Sequence, residues 1–287
     1  MKHVRKTTTA AAAALALIPA VAFAATIDGG PGNERLRGTN AADVINGNGG
    51  NDRIHGRNGD DQLNGGEGND RIFGGRGNDT IFGVQGNDLL NGGPGDDAIT
   101  GDANNTGDRT SFDRIYGAAG NDTLKGGDSR DRIHGGSGND VSDGEGGNDR
   151  MSGGTGDDTQ NGGAGNDTIY ANVGVDVSNG GDGNDTLWAL ARKDVTPGPN
   201  GEVDQVGDTL DGGNGNDRFR TRDGEVDRIT CGDGNDRVFA DLVDVITDAT
   251  AENPNGSCET VQRRAPRAAD SKSEDAQQSP AEEKVSS

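Results

Sequence analysis

The sequence predicts an all-β fold in which very short parallel strands stack as a solenoid of eighteen-residue coils. Three observations carry this expectation. A nine-letter unit recurs along most of the chain, as in GGEGNDRIF at 65–73 followed by GGRGNDTIF at 74–82. Glycine supplies 52 of 287 residues while hydrophobic residues make up only 28%, too few for an ordinary globular core. Each unit also keeps one large apolar residue at its eighth position, so a single inward side chain per strand repeats at a fixed interval.

Taken in order, the chain opens with MKHVRK and an alanine-rich apolar run ending at Ala22-Phe23-Ala24, the pattern of a signal peptide over 1–24 cleaved after Ala24. Residues 25–37 read as a lead-in. From Gly38 seven units run without a slip to Thr100, and from Gly117 eight more run to Trp188. Residues 101–107 and 189–202 read as loops extruded between coils. Weaker units follow at 108–116, 203–211, 212–220 and 231–239, and the whole array spans 38–247. Cys231 and Cys258 are the two cysteines, and in an exported chain they are expected to pair. Residues 248–261 then form a disulfide-linked cap, with the apolar segment VFADLVDVITDA closing the stack. The charged, aperiodic stretch 262–287 is expected to be disordered.

Each unit divides into a turn and a strand. The hexapeptide GGxGND gathers residues that tolerate positive φ, so it can curl with carbonyl oxygens inward and an aspartate at its end. The remaining three residues make a minimal strand, and two units make a coil with one strand and one turn on each side. Coils stack about 4.8 Å apart, and Ile45, Ile54, Leu63, Ile72, Ile81, Leu90 and Ile99 fill the thin interior. With 49 acidic against 27 basic residues the net charge is -22, which argues against nucleic acid or an anionic membrane as partner and for cations. A hard cation such as calcium needs six to eight oxygens, more than one turn presents, so it is expected between turns eighteen residues apart, as Asp70 with Asp88 or Asp79 with Asp97.

The pattern GGxGxDxUx, with U apolar, resembles the RTX or haemolysin-type calcium-binding repeat, in its short secreted bacterial form. That resemblance implies a right-handed parallel β-roll with calcium between the turns. Carried onto the matching sixth positions, the metal ligands are Asp52, Asp61, Asp70, Asp79, Asp88, Asp97, Asp122, Asp131, Asp140, Asp149, Asp158, Asp167, Asp185, Asp217 and Asp236. Asp43, Asp176 and Asp208 stand in degenerate units and are left open. Gaps between stacked turns number five in the first block and six in the second, so about eleven calcium ions or more are expected.

Other chemistry finds little footing. His55 and His134 fall at ninth positions, where a solvated side chain is expected, and HExxH and GxSxG are both missing from the sequence. Beyond the leader no segment is long and apolar enough to span a bilayer. The reading is a secreted, extracellular, non-enzymatic calcium-binding module whose roll folds on calcium. Its partner could be a cell-surface or matrix polysaccharide, and the alternative is an accessory module or variant of a polysaccharide-directed enzyme. One fault breaks the pattern: Ser142, Gln160 and Ser178 occupy eighth positions in alternate units, all on one sheet. A local shift turning Val141, Thr159 and Val177 inward is expected there, with a solvent-lined stripe as the alternative, because buried unpaired polar groups cost about 1 to 3 kcal/mol each.

Overall fold

The computed structural model describes residues 23–102, 111–189 and 207–264. Residues 1–22 of the expected signal peptide and most of the expected tail and loops lie outside these residues. Among the described residues every regular element is a β-strand, and every strand pairing is parallel. Apart from Arg228–Thr230 and Asp233–Gly234, which share a sheet, successive strands alternate between two sheets, one of 13 strands and one of 12, so the chain winds as a solenoid. Pairing follows the coil: Ile54 stands beside Ile72, and Ile45 beside Leu63, each eighteen residues apart. The offset becomes 25 between Leu89 and Arg114 and 32 between Val177 and Thr209, eighteen plus the seven and fourteen residues of the intervening segments. The register of the stack is therefore unbroken across both insertions.

The interior is a double column of eighth-position side chains. Ile45, Ile54, Leu63, Ile72, Ile81 and Leu90 are all fully buried, and one continuous apolar cluster runs on to Ile169. A second cluster, from Ala171 to Cys258, fills the carboxy-terminal coils around Phe219. The disulfide Cys231–Cys258 forms within it, with Cα atoms 5.3 Å apart.

The roll is longer at both ends than the sequence reading. Strands Thr26–Asp28 and Arg35–Arg37 occupy the expected lead-in, because GGPGNERLR at 29–37 is a unit with glutamate in the aspartate place. Strand Arg228–Thr230 shows that TRDGEVDRIT is also a coil segment, one residue over length. At the carboxy end, Val245–Ile246 and Thr260–Arg263 add the last strand to each sheet, so the segment expected to plug the stack is its final coil. Gln262 and Arg263, placed in the tail by the sequence reading, belong to that strand.

The expected shift at the polar fault does not occur. Ser142, Gln160 and Ser178 point inward, 2%, 1% and 1% exposed, while Val141 and Val177 stay outward at 49% and 48%. The solvent-lined alternative fails with it. Register is held at the turns that precede these strands, where Asp140 and Asp158 are each tied by their amides to the aspartate one coil on. Shifting a strand would break those bonds and expose an entire face to relieve three side chains. Part of the polar penalty is also met internally. Ser178 Oγ lies 3.2 Å from the Gln160 amide, which in its better orientation donates to the Tyr170 carbonyl and accepts from the Gly153 amide, each at 3.0 Å. Ser142 Oγ is buried without a partner. Replacing Ser142 with Ala is accordingly expected to stabilise the roll by about 1 kcal/mol, measured by denaturant unfolding in saturating calcium; a destabilisation of similar size would show that the hydroxyl is bonded.

Candidate metal centre

Each turn is shaped by its backbone before any side chain contributes. In most turns the second position adopts positive φ even where it is not glycine: Asn48 at 72°, Arg57 at 97°, Val84 at 90°, Ala118 at 87° and Glu145 at 66°. A β-branched residue is strained in that region. At the first position the need for glycine is steric, since a Cβ on Gly65 would fall on Asp70 Oδ2 and close to the Gly83 carbonyl oxygen. Glycine there opens the space into which a carboxylate oxygen and a main-chain oxygen from the next coil converge.

Two side-chain ladders run along each edge of the roll. Outermost, asparagines bond backwards: the Asn69 amide donates to Asn51 Oδ1 and the Asn87 amide to Asn69 Oδ1, both at 2.7 Å. Inside them, aspartates bond forwards. The Asp52 amide donates to Asp70 Oδ1 and the Asp70 amide to Asp88 Oδ1, again at 2.7 Å. The ladder crosses both insertions, from Asp88 to Asp113 at 2.8 Å and from Asp176 to Asp208 at 2.9 Å. On one edge it begins with the Glu34 amide bonded to Asp52 and ends with the Asp236 amide bonded to Glu259 Oε2 at 2.6 Å.

All fifteen aspartates predicted as ligands lie in these ladders and are buried. Asp52, Asp70, Asp88, Asp131, Asp149, Asp167, Asp185, Asp217 and Asp236 line one edge. Asp61, Asp79, Asp97, Asp122, Asp140 and Asp158 line the other. In every one the Oδ1 atom accepts an amide while Oδ2 is buried without a hydrogen-bond partner. The same holds for Asp113, Asp208 and Asp227, which the sequence-derived ligand set omitted. Asp227 escaped because its unit is one residue too long, and Glu34 because it replaces the diagnostic aspartate. Asp43 differs, since the Thr39 amide and hydroxyl bond both sides of its carboxylate.

A rank of buried carboxylates with one idle oxygen each is electrostatically costly. Burial, reinforced by the neighbouring ladder aspartates, pushes Asp88 up to about 8, and the same causes raise Asp113, Asp131 and Asp149 to about 8. Asp61 and Asp70, nearer the amino-terminal end, rise to about 6. Among the described residues no three His, Cys, Asp or Glu side chains converge as a metal cluster. A cation held here must draw on main-chain oxygens as well as on the idle Oδ2 atoms, a donor set of oxygen alone, which suits calcium and poorly serves zinc.

The fold and its edges define a class, the repeat-built oxygen-ligand roll. The RTX calcium-binding nonapeptide repeat matches residues 28–63, 55–90, 74–106, 110–142, 143–160, 152–187 and 207–225, more than half of the chain. The protein belongs to this calcium-binding repeat family, and calcium binding is the activity its repeats indicate. No curated protein matches the chain.

Two outcomes follow from this geometry. Val84→Gly relieves a strained positive φ and is expected to raise stability by about 1 kcal/mol, read from the denaturant midpoint of the calcium-loaded protein. The pH dependence depends on metal. Carboxylates whose folded pKa lies above the unfolded value stabilise the roll below about pH 4 and lose that contribution as pH rises through 6 to 8. The metal-free protein should therefore melt at higher temperature at pH 5 than at pH 8.5. With calcium, whose binding needs ionised ligands, the order should reverse. Circular dichroism melts at both pH values, with and without calcium, decide the matter.

Proposed function

We propose that this protein is a secreted, extracellular calcium-binding module whose roll completes its folding when calcium enters the edge ladders. The observation that carries the reading is the run of idle, buried Oδ2 atoms on the ladder aspartates named next, most of them beside a main-chain oxygen of the adjoining coil. The ligands are Asp52, Asp61, Asp70, Asp79, Asp88, Asp97, Asp122, Asp131, Asp140, Asp149, Asp158, Asp167, Asp185, Asp217 and Asp236, with Asp113, Asp208 and Asp227 added from the ladder. Bound calcium supplies the positive charge that lets these carboxylates ionise together. The chain's own contribution is to hold the oxygens in register through the amide-to-Oδ1 bonds. Export is supported by the basic, then apolar, amino terminus and by the Cys231–Cys258 bond, and no helix among the described residues is long and apolar enough to cross a membrane. The role is structural or binding rather than catalytic.

Eleven ions is the lower count, because the ladders join the two blocks and add the gaps between them. An extracellular module of this kind works at about 0.1 to 1 mM calcium. Titrating metal-free protein should produce a cooperative gain of β signal in far-UV circular dichroism and an uptake of about eleven ions or more per chain by metal assay. An unchanged spectrum, or one or two ions per chain, would refute the proposal. Asp131→Asn keeps an oxygen to accept the Asp113 amide but removes a buried charge, so it should lower calcium uptake while leaving the metal-free protein no less stable.

A further inference from the structure

The two sheets carry the same nonapeptide, yet their outer faces differ in chemistry. On the 12-stranded sheet the seventh positions form a column of exposed arginines, with Arg35, Arg53 and Arg71 on adjacent strands and Arg114, Arg132 and Arg150 on the next such run. On the 13-stranded sheet the same position holds Thr80, Thr123, Val141, Thr159, Val177 and Thr209. Strand geometry and solvent are alike at both, so neither β-propensity nor solubility explains the difference. Like charges side by side on neighbouring strands are themselves destabilising. In a chain of net charge -22, three arginines in a row on one face need another reason.

The neighbouring column sharpens the contrast. Ninth positions of the arginine sheet hold both tyrosines and the only tryptophan of the chain, Tyr116, Tyr170 and Trp188, together with Phe73. His55 and His134 stand in the same column, half-buried rather than solvated, 6.2 Å from Phe73 and 6.3 Å from Tyr116 between ring centres. The rings cover one another and the arginines lie over them: Tyr170 stacks on Trp188 at 5.8 Å, Arg150 sits 4.7 Å over Tyr170, and Arg53 sits 5.8 Å over Phe73. Phe112 holds both Arg114 and Arg132, at 5.0 and 5.5 Å. Several ring faces are thus covered from within, and what the sheet offers outward is a row of guanidinium groups on strands about 4.8 Å apart, braced over rings at Arg53, Arg114, Arg132 and Arg150.

The geometry points to a docking surface for an extended, carboxylate-bearing polysaccharide laid along the stack axis over this arginine column. Guanidinium forks match carboxylates bidentately, and bracing over rings lowers the entropy lost on binding. The strand spacing is comparable to the advance of one sugar in an extended chain. Nucleic acid fits less well: in a duplex each strand advances only about 3.4 Å per phosphate along the axis, and for a single strand the covered ring faces leave its bases little to stack on. This partner rests on the calcium-module reading, because the column exists only when the coils are stacked.

The test titrates the calcium-loaded chain with hyaluronate oligosaccharides, whose carboxylates stand on every second sugar and so meet alternate arginines of a run, and which calcium does not gel, by calorimetry at about 0.1 M salt, with circular dichroism on the same samples. Binding is expected, weakening as salt rises. R114Q/R132Q should reduce affinity about tenfold, whereas K125Q/R228Q, which removes two positive charges from the other sheet, should leave it unchanged. Equal loss in both variants, tighter binding of single-stranded DNA than of hyaluronate, or no hyaluronate binding by protein that has folded on calcium would each overturn this inference. Failure to fold on calcium would instead overturn the calcium-module reading.

Discussion

A single hydrogen bond, from each turn's aspartate amide to one carboxylate oxygen of the aspartate one coil later, governs this structure. It closes the turn at six residues and forbids a register slip. It also aims the second oxygen into a space that only glycine leaves open, as Gly65 does for Asp70. The strands contribute little of their own, being two to seven residues long with one buried side chain apiece in most coils. Order along the roll therefore comes from its edges, and the apolar column follows a spacing that the edges impose.

That hierarchy explains what could be read in advance and what could not. Ile45 through Ile99 were legible because their nine-residue spacing survives without any knowledge of the turns. The fifteen aspartates were legible for the same reason. Ser142, Gln160 and Ser178 were misread because their desolvation was weighed alone, whereas the bonds at Asp140 and Asp158 fix the register of those strands where each begins. Glu34 and Asp227 were missed because a one-letter pattern of fixed length excludes a longer carboxylate and a ten-residue unit, though both satisfy the ladder. The division between the two outer faces was invisible at a period of nine and becomes visible only at eighteen, when alternate units are assigned to their own sheets.

Neighbouring coils share both their metal-binding and their surface features. An idle oxygen at one turn faces a main-chain oxygen of the next, and a ring on one strand shields a guanidinium on another, as Tyr170 does for Arg150. No coil is a complete unit of either kind, which is the quasi-one-dimensional behaviour of stacked repeats. Insertions such as those after Gly101 and Ala189 are tolerated because they leave these neighbour relations intact.

The aspartate ladder also has a polarity. Every donor is an amide and every acceptor lies in the coil that follows, up to Glu259 beside the Cys231–Cys258 bond. A coil removed from the amino end leaves behind a carboxylate oxygen, which water satisfies readily. One removed from the carboxy end strands a buried amide, which water reaches poorly. The roll's two ends are therefore chemically unequal, and a chain lengthening from its amino terminus cannot finish any turn until the succeeding one has arrived. Growth is completed backwards, with the cross-linked last coil as the terminus that seals it.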